Sequence, residues 1–194
     1  RVEAIRVDQG KVVGARVAGR EVACRAVVSN GNLLSTVHDL VGDEHFSPDY
    51  LDGFNTIGLS NSSCQVYMGI AKGAVLPDIG DLLFTSTHPV FDSEAICSAT
   101  VTSRTFSVYY PSIRPGTDRY TVVASMNGWH RDWEGLSRPE YQARKDSLVE
   151  DTLDALGTYV PNIRELVDYT EAATPRTFAR YTLHPGGASF GTKF

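Results

Sequence analysis

The chain has 194 residues, 42% of them hydrophobic and 21% charged, an ordinary globular composition for one domain or slightly more. Its 18 basic and 23 acidic residues leave a formal net charge of -5, which excludes a nucleic-acid binder working through surplus Lys and Arg. Cys24, Cys64 and Cys97 are odd in number and widely spaced; without a CxxC pair or a disulfide framework they point to a reducing, cytoplasmic setting. No apolar stretch approaches the length of a membrane span.

Residues 1–30 read as three strands. Val2, Ile5 and Val7 lead into Asp8-Gln9-Gly10-Lys11, a hairpin turn with glycine available for positive φ. Val12 to Val17 follow, then a second turn at Ala18-Gly19-Arg20. A third strand is predicted from Val22 to Val28, and its continuously apolar end suggests cover on both faces. It stops at Ser29-Asn30-Gly31, either a plain turn into a helix or the kind of strand end where open α/β sheets bind ligands.

Leu33, Leu34, Val37, Leu40 and Val41 have helical spacing over 32–42, with Gly42 as a stop. A short helix is expected after Pro48. Strands are expected at 63–70, 82–86, 95–101, 105–110 and 120–126. Pro111 to Arg119, with Pro115 and Gly116, reads as a loop. The clearest helix covers 138–158: Ser137 and Glu140 match a capping box, and Tyr141, Leu148, Val149, Leu153, Leu156 and Val160 form one apolar stripe. Asp146, Glu150, Asp151 and Asp154 lie mostly off it, as a solvated face. Pro161 opens a shorter helix through Val167, a strand fits 168–173, and Thr174-Pro175 begins a last short helix. The expected fold is α+β (mixed α/β), a mostly antiparallel sheet flanked by helices, with a three-stranded layer at its base.

Chemistry-bearing motifs are sparse. The five histidines are scattered without HExxH or Cys/His spacing, so no metal site is expected. His130-Arg131-Asp132-Trp133 reads as a helix start or strand edge. There is no GxSxG elbow, and the cysteines sit in apolar segments as inert thiols. Gly186 to Gly191 lacks the Lys-Ser/Thr of a phosphate loop, and Gly-x-Gly-x-x-Gly is absent. Aromatic residues spread over the strands and last helix suit either a core or the lining of an apolar cavity. The chain opens at Arg1 and closes just after a glycine-rich run, which predicts a piece of a longer protein.

Two segments together resemble a known family. Val2-Glu3-Ala4-Ile5, Gly10-Lys11-Val12-Val13-Gly14-Ala15 and Glu21 to Asn30 are similar to the "V-x-x-I … G-x-V-x-G-V … A-D-x-V-V-S-N" hairpin of FAD-dependent phytoene desaturases, carotenoid isomerases and retinol saturases. Ala173-Thr174-Pro175-Arg176-Thr177-Phe178, with Tyr181 and Gly186 to Gly191, resembles that family's late "T-P-x-T … G-x-x-Y/F-G" segment. Cys24-Arg25-Ala26 departs from the family's Ala-Asp pair, and neither the glycine-rich FAD fingerprint nor the FAD-closing motif is in the chain.

The resemblance implies a division into residues 1–30 bordering an FAD domain, 31–173 binding substrate, and 174–194 returning toward FAD. It implies FAD as cofactor of the whole protein and an apolar, carotenoid- or retinoid-like small-molecule substrate, with the flavin carrying the redox chemistry. This portion would be inactive alone. Val2, Ser29 and Asn30 would lie by the cofactor; Tyr67, Phe106, Tyr109, Phe178 and Tyr181 would line the substrate cavity. No catalytic residue is assigned. Nucleic acid is not an expected partner; peripheral membrane contact in the whole protein and a homodimer formed through exposed apolar surface are both compatible with this reading. The competing readings are a flavin-free module for a hydrophobic ligand or protein, and a relative of flavin-dependent amine oxidases, which share the hairpin.

Overall fold

The computed structural model describes residues 1–114, 116, 118–189 and 191–193, with only the backbone described at Thr192 and Lys193. Pro115 of the expected loop and Phe190 of the glycine-rich run lie outside the described residues. The fold is mixed α/β, as expected, with antiparallel sheets of three and five strands.

β1 (Val2–Asp8), β2 (Lys11–Val17) and β3 (Arg20–Ala23) form the small sheet. Both hairpins turn through two positive-φ residues, Gln9-Gly10 and Ala18-Gly19, the backbone that matches the twist of paired strands. The third strand is shorter than its apolar run predicts. Cys24 N–H still donates to the Val13 carbonyl at 3.2 Å, but the chain then bends at Arg25 and continues outside the sheet. Val27 is half exposed and Val28 is 98% exposed, so cover on both faces is not present in this chain.

The helix expected over 32–42 forms, but Ser35–Val41 winds as a π-helix ending in a Gly42 N–H to Val37 carbonyl bond of 2.9 Å. The wider turn packs the buried Val37 toward β1, where Ile5 is buried. α1 (Pro48–Phe54), capped by Ser47, stacks Phe54 on Tyr50 and sets its edge against His38.

The five-stranded sheet has the order β6-β7-β8-β5-β9. Its strands are β5 (Ser62–Ile70), β6 (Leu82–Ser86), β7 (Ser103–Tyr109), β8 (Thr121–Gly128) and β9 (Val167–Ala173). No strand forms at 95–101. Asp92 accepts the N–H groups of Glu94 and Ala95, and Ala95–Cys97 closes into a 3-10 turn that buries Cys97. The Asp92 carboxyl is held below the usual carboxylate range by those backbone bonds.

One sheet face is packed by α2 (Arg138–Gly157), whose Leu148, Leu153 and Leu156 meet Val66, Met68, Phe106 and Val122. The capping box forms as its sequence requires: Ser137 Oγ accepts from Glu140 N–H, and Glu140 Oε2 accepts from Ser137 N–H at 2.9 Å. Ser137→Ala is expected to lower stability by about 1 kcal/mol in urea unfolding. Past α2 the chain turns at Asn162, whose positive φ delays α3 to Ile163–Leu166, so Val167 already belongs to β9.

Cys64 is buried on the α2 face, and burial pushes its thiol up to about 12 from 9.0. The unfolded chain would release this proton first, near its ordinary value. The stability contribution is therefore intact below about pH 9 and lost as pH rises toward about 12. Cys64→Ala should flatten that decline in stability measured across this alkaline window.

α4 (Pro175–Thr182) opens with a capping box on Thr174, and β10 (Thr192–Lys193) pairs antiparallel with β4 (Gly58–Leu59). The chain end therefore runs back along the entry to β5. Ser189 N–H donates to the Asn61 carbonyl, and Ser60 N–H to the Gly191 carbonyl, both at 3.1 Å. Among the described residues no helix is long and apolar enough to cross a membrane.

Candidate functional site

The other face of the five-stranded sheet is not covered by α2. Strand alternation and register place its residues in rows. One row runs Leu82, Ser107, Val123, Tyr67, Glu171; the next runs Phe84, Thr105, Ser125, Gln65, Ala173. Beyond it Ser86 pairs with Ser103 and Asn127 with Ser63. At the opposite end lie Tyr109, Thr121, Gly69 and Tyr169.

Glu171, on the edge strand, is the one charged residue among these positions. A sheet face built for water alternates apolar residues inside with polar and commonly charged residues outside. This face instead carries small hydroxyls, amides, aromatics and aliphatics, and its central positions are half-buried. A shallow groove of about 460 Å³ opens there, and Ser63, Phe84, Arg104, Thr105, Ser125 and Asn127 are among the residues that line it. The groove's end is fastened to the returning chain: Ser63 Oγ and Ser189 Oγ are 2.9 Å apart, Ser62 Oγ donates to the Gly187 carbonyl at 2.6 Å, and Asn61 Nδ2 donates to Asn127 Oδ1 at 2.9 Å.

Tyr67 and Tyr109 lie on this face, beside the groove. The Tyr67 hydroxyl donates to Gln65 Oε1. Burial, then the Glu171 carboxylate opposite, pushes its phenol up, so it stays neutral at ordinary pH. Glu171 in turn accepts from the Tyr169 hydroxyl at 2.7 Å. Arg114 packs its guanidinium 4.8 Å from the centre of the Tyr109 ring.

The other three expected lining residues do not join them. Phe106 is one residue out of phase with Thr105 and Ser107, points to α2, and is fully buried; it is a core residue. Phe178 is half-buried on α4, and Tyr181 at the end of that helix is 76% exposed. Neither lines the groove. Arg104, in contrast, borders the groove, while its Nε donates to Thr152 Oγ1 at 3.3 Å. Burial holds that guanidinium below its usual range, with Asp151 opposing.

The residues expected near a cofactor lie at the other end of the chain. Val2 is 42% exposed at the start of β1. Ser29 Oγ is 2.8 Å from Thr36 Oγ1 and accepts from Gly31 N–H, while Asn30 is exposed. Asn32, which the sequence did not single out, is buried; its Oδ1 accepts from Ser35 N–H at 3.2 Å, and its Nδ2 has no partner among the described residues. A buried donor without an acceptor is costly unless a ligand supplies one. Asn32 and the exposed Ser29-Asn30 backbone thus fit an edge contact to a cofactor. They form no phosphate cradle. No group of three or more His, Cys, Asp or Glu among the described residues suits a metal ion.

The groove residues were legible only as a pattern: Ser-Arg-Thr-Phe-Ser-Val-Tyr in β7 and Thr-Val-Val-Ala-Ser-Met-Asn-Gly in β8 put hydroxyls and an amide on one face and no lysine or glutamate. Fold and face together define a mixed α/β unit with one face of its five-stranded antiparallel sheet left open.

No family model matches the chain. It is 25% identical over 189 residues to prolycopene isomerase, chloroplastic, of Arabidopsis thaliana, covering 96% of this chain and 31% of that protein. Prolycopene isomerase 2 of an Oncidium hybrid matches at 25% over the same share of this chain. All-trans-retinol 13,14-reductase of Danio rerio is 28% identical over 87 residues, 42% of this chain and 14% of that protein. The chain spans about a third of the length of the two isomerases. An oxidoreductase crystal structure from Methanosarcina mazei superposes with a TM-score of 0.53 at 14% identity, over 89% of this chain and 36% of that one, a likeness of fold. The chain is thus related to the carotenoid- and retinoid-type oxidoreductases that its two motifs resemble.

Proposed function

We propose that the chain is the substrate-binding portion of an FAD-dependent oxidoreductase acting on carbon–carbon bonds of an apolar, carotenoid- or retinoid-like substrate. The observation that carries this is the open face of the five-stranded sheet, where Glu171 on the edge strand is the one charged residue among the row positions. An extended hydrocarbon can lie over the Leu82 and Val123 part of such a face without stripping water from that carboxylate at the edge. In this reading Leu82, Phe84, Val123, Tyr67 and Tyr109 hold and orient the chain of the substrate. The half-buried floor excludes water from beneath it. Asn32, Ser29 and Asn30 contact the edge of the cofactor, whose main binding loops belong to other parts of the whole protein. A flavin bound there would supply the redox chemistry, while this chain's residues would hold the substrate against it. In this reading residues 1–30 form the layer toward the FAD domain, 31–173 the substrate portion, and 174–194 the return toward the FAD domain.

The test uses the complete protein that contains this chain. After purification and incubation with FAD it should show flavin absorption, and anaerobic addition of a polyene to the reduced or oxidised protein should change that absorption. Asn32→Leu should weaken flavin retention during gel filtration while leaving the thermal midpoint of the flavin-free protein within a few degrees. A complete protein that takes up no flavin would overturn the enzyme reading in favour of a flavin-free module for an apolar ligand.

A further inference from the structure

The two edges of the five-stranded sheet are β6 and β9, and they are finished differently. An open edge presents unpaired N–H and C=O groups, and charged side chains along it are the usual guard against pairing with another chain. β9 carries Asp168, in an ion pair with Arg119, and Glu171, which holds the Tyr169 hydroxyl. β6 reads Leu-Leu-Phe-Thr-Ser, without charge, proline or glycine. Phe84 at its centre is 72% exposed, and Leu82 is exposed beside it. The loop that leaves the strand carries Val90, also exposed, and Phe91, 82% exposed.

The backbone phase of this edge follows from its two ends. The Asp81 carbonyl accepts Val108 N–H at 2.9 Å, and Thr87 N–H donates to the Thr102 carbonyl at 2.8 Å. Opposed residues in an antiparallel ladder alternate between hydrogen-bonded and non-hydrogen-bonded pairs. Leu83, opposite Phe106, and Thr85, opposite Arg104, therefore complete the ladder to β7. Leu82, Phe84 and Ser86 turn both N–H and C=O outward, to the side where no strand pairs with β6 among the described residues.

A hydrocarbon or a lipid surface would leave these groups unbonded. Another strand bonds them, and two-fold symmetry about Phe84 does so completely. Phe84 then meets the partner's Phe84, and Leu82 meets the partner's Ser86. This is the one two-fold register that pairs every outward group, and it sets two aromatic rings side by side on one face. The area is also sufficient. A specific interface needs about 1,000 Å² in total. Phe84 and Phe91 each offer most of the roughly 150–250 Å² of an aromatic side chain. Leu82, Val90 and the strand backbone add to this in both copies, because the two-fold sets the loop after Ser86 beside the partner's approach to β6.

We infer that a second copy of this chain pairs antiparallel along β6, two-fold about Phe84, joining the two five-stranded sheets into one. The open faces of both copies then lie on the same side, and the partner's Phe84 borders the groove that Phe84 lines. The pairing does not depend on what the face binds.

Light scattering on the complete protein that contains this chain should give twice the monomer mass at micromolar concentrations. On dilution, amide exchange at Leu82, Phe84 and Ser86 should quicken, while exchange at Leu83 and Thr85 stays as it was. Neither measurement needs a variant. Phe84→Lys should be monomeric, because it opposes two ammonium groups, and Tyr169→Lys on the other edge should leave the dimer intact. Two double variants read the register. Leu82→Glu with Ser86→Lys places opposite charges across the joint and should remain dimeric; Leu82→Lys with Ser86→Lys places like charges there and should be monomeric. Circular dichroism melting within a few degrees of wild type qualifies each variant. A complete protein that is monomeric at every concentration, or a dimer that survives Phe84→Lys, overturns the inference. A monomer that sediments with lipid vesicles overturns it in favour of a β6 edge facing a membrane. Equal behaviour of the two double variants overturns the register centred on Phe84.

Discussion

Gly187→Ala is expected to destabilise the protein by roughly 2–5 kcal/mol, the sum of left-handed backbone strain and overpacking. Gly187 has φ +61, and a Cβ there would stand 2.3 Å from the Pro175 carbonyl oxygen and 3.0 Å from the Ala179 nitrogen. Both are backbone atoms of α4 and cannot swing aside. The Gly187 carbonyl also accepts from the buried Ser62 hydroxyl, so displacement would break the link between the returning chain and β5. Urea unfolding measures the loss, and amide exchange at 58–63 and 185–193 should rise before exchange in the sheet centre does. Gly186→Ala provides the contrast. Its φ is +57, yet the nearest atoms to a Cβ are 3.7 Å away, so only the strain of about 1–2 kcal/mol applies. Equal losses at the two positions would mean that the close approach at Gly187 is not what holds the segment.

Phe106→Ala should cost about 3–5 kcal/mol, the range for removing a fully buried aromatic side chain. Stability of a domain this size is on the order of 5–15 kcal/mol, so the variant would unfold at much lower urea. Phe106 is fully buried in the cluster that α2 completes. Its neighbour in the chain but not in space, Tyr109, lies half-buried on the open face, and Tyr109→Ala should cost about 1 kcal/mol or less. The pair separates a core role from a ligand role. A Phe106→Ala variant that kept its stability and lost only ligand affinity would return Phe106 to the cavity lining.

Why Phe106 and Tyr109 were grouped in the sequence is instructive. Both are aromatic and three residues apart, so in a strand they face opposite ways. Aromatic identity was read where phase along the strand decides. The capping box at Ser137, the helix start at Thr174-Pro175, the two hairpin turns and the acidic face of α2 were legible because each is set by residues close together in the chain. The early end of β3 was not. Ala26-Val27-Val28 has the composition of a covered strand, but a strand exists only where another supplies hydrogen bonds, and local sequence holds no record of that. The 3-10 turn at Ala95–Cys97 likewise depends on Asp92 reaching forward to two amides, which competes with strand formation in an otherwise apolar run. Asn32 went unnoticed because its significance is an unsatisfied amide in a buried place, and burial of a single polar residue has no signature in the chain. The groove's hydroxyls were visible one strand at a time. Their meeting on one face required the register of four strands.

β5 is next to the centre of the sheet, yet both of its neighbours come from far along the chain: Ser62 pairs with Gly128, and Gln65 with Ala173. At about 5–20 residues per second of synthesis, the stretch from Ser62 to Ala173 takes roughly 5–20 s to emerge. Throughout that interval Val66, Met68 and Ile70 have one flank or both without a strand, and the hydrogen-bonding edge of β5 is open to other chains. Non-local pairing of this kind also slows closure once synthesis is complete. The protein's vulnerability to aggregation is therefore greatest before it is finished, and the residues that end it, Val167 to Ala173, are the last of the sheet to be made.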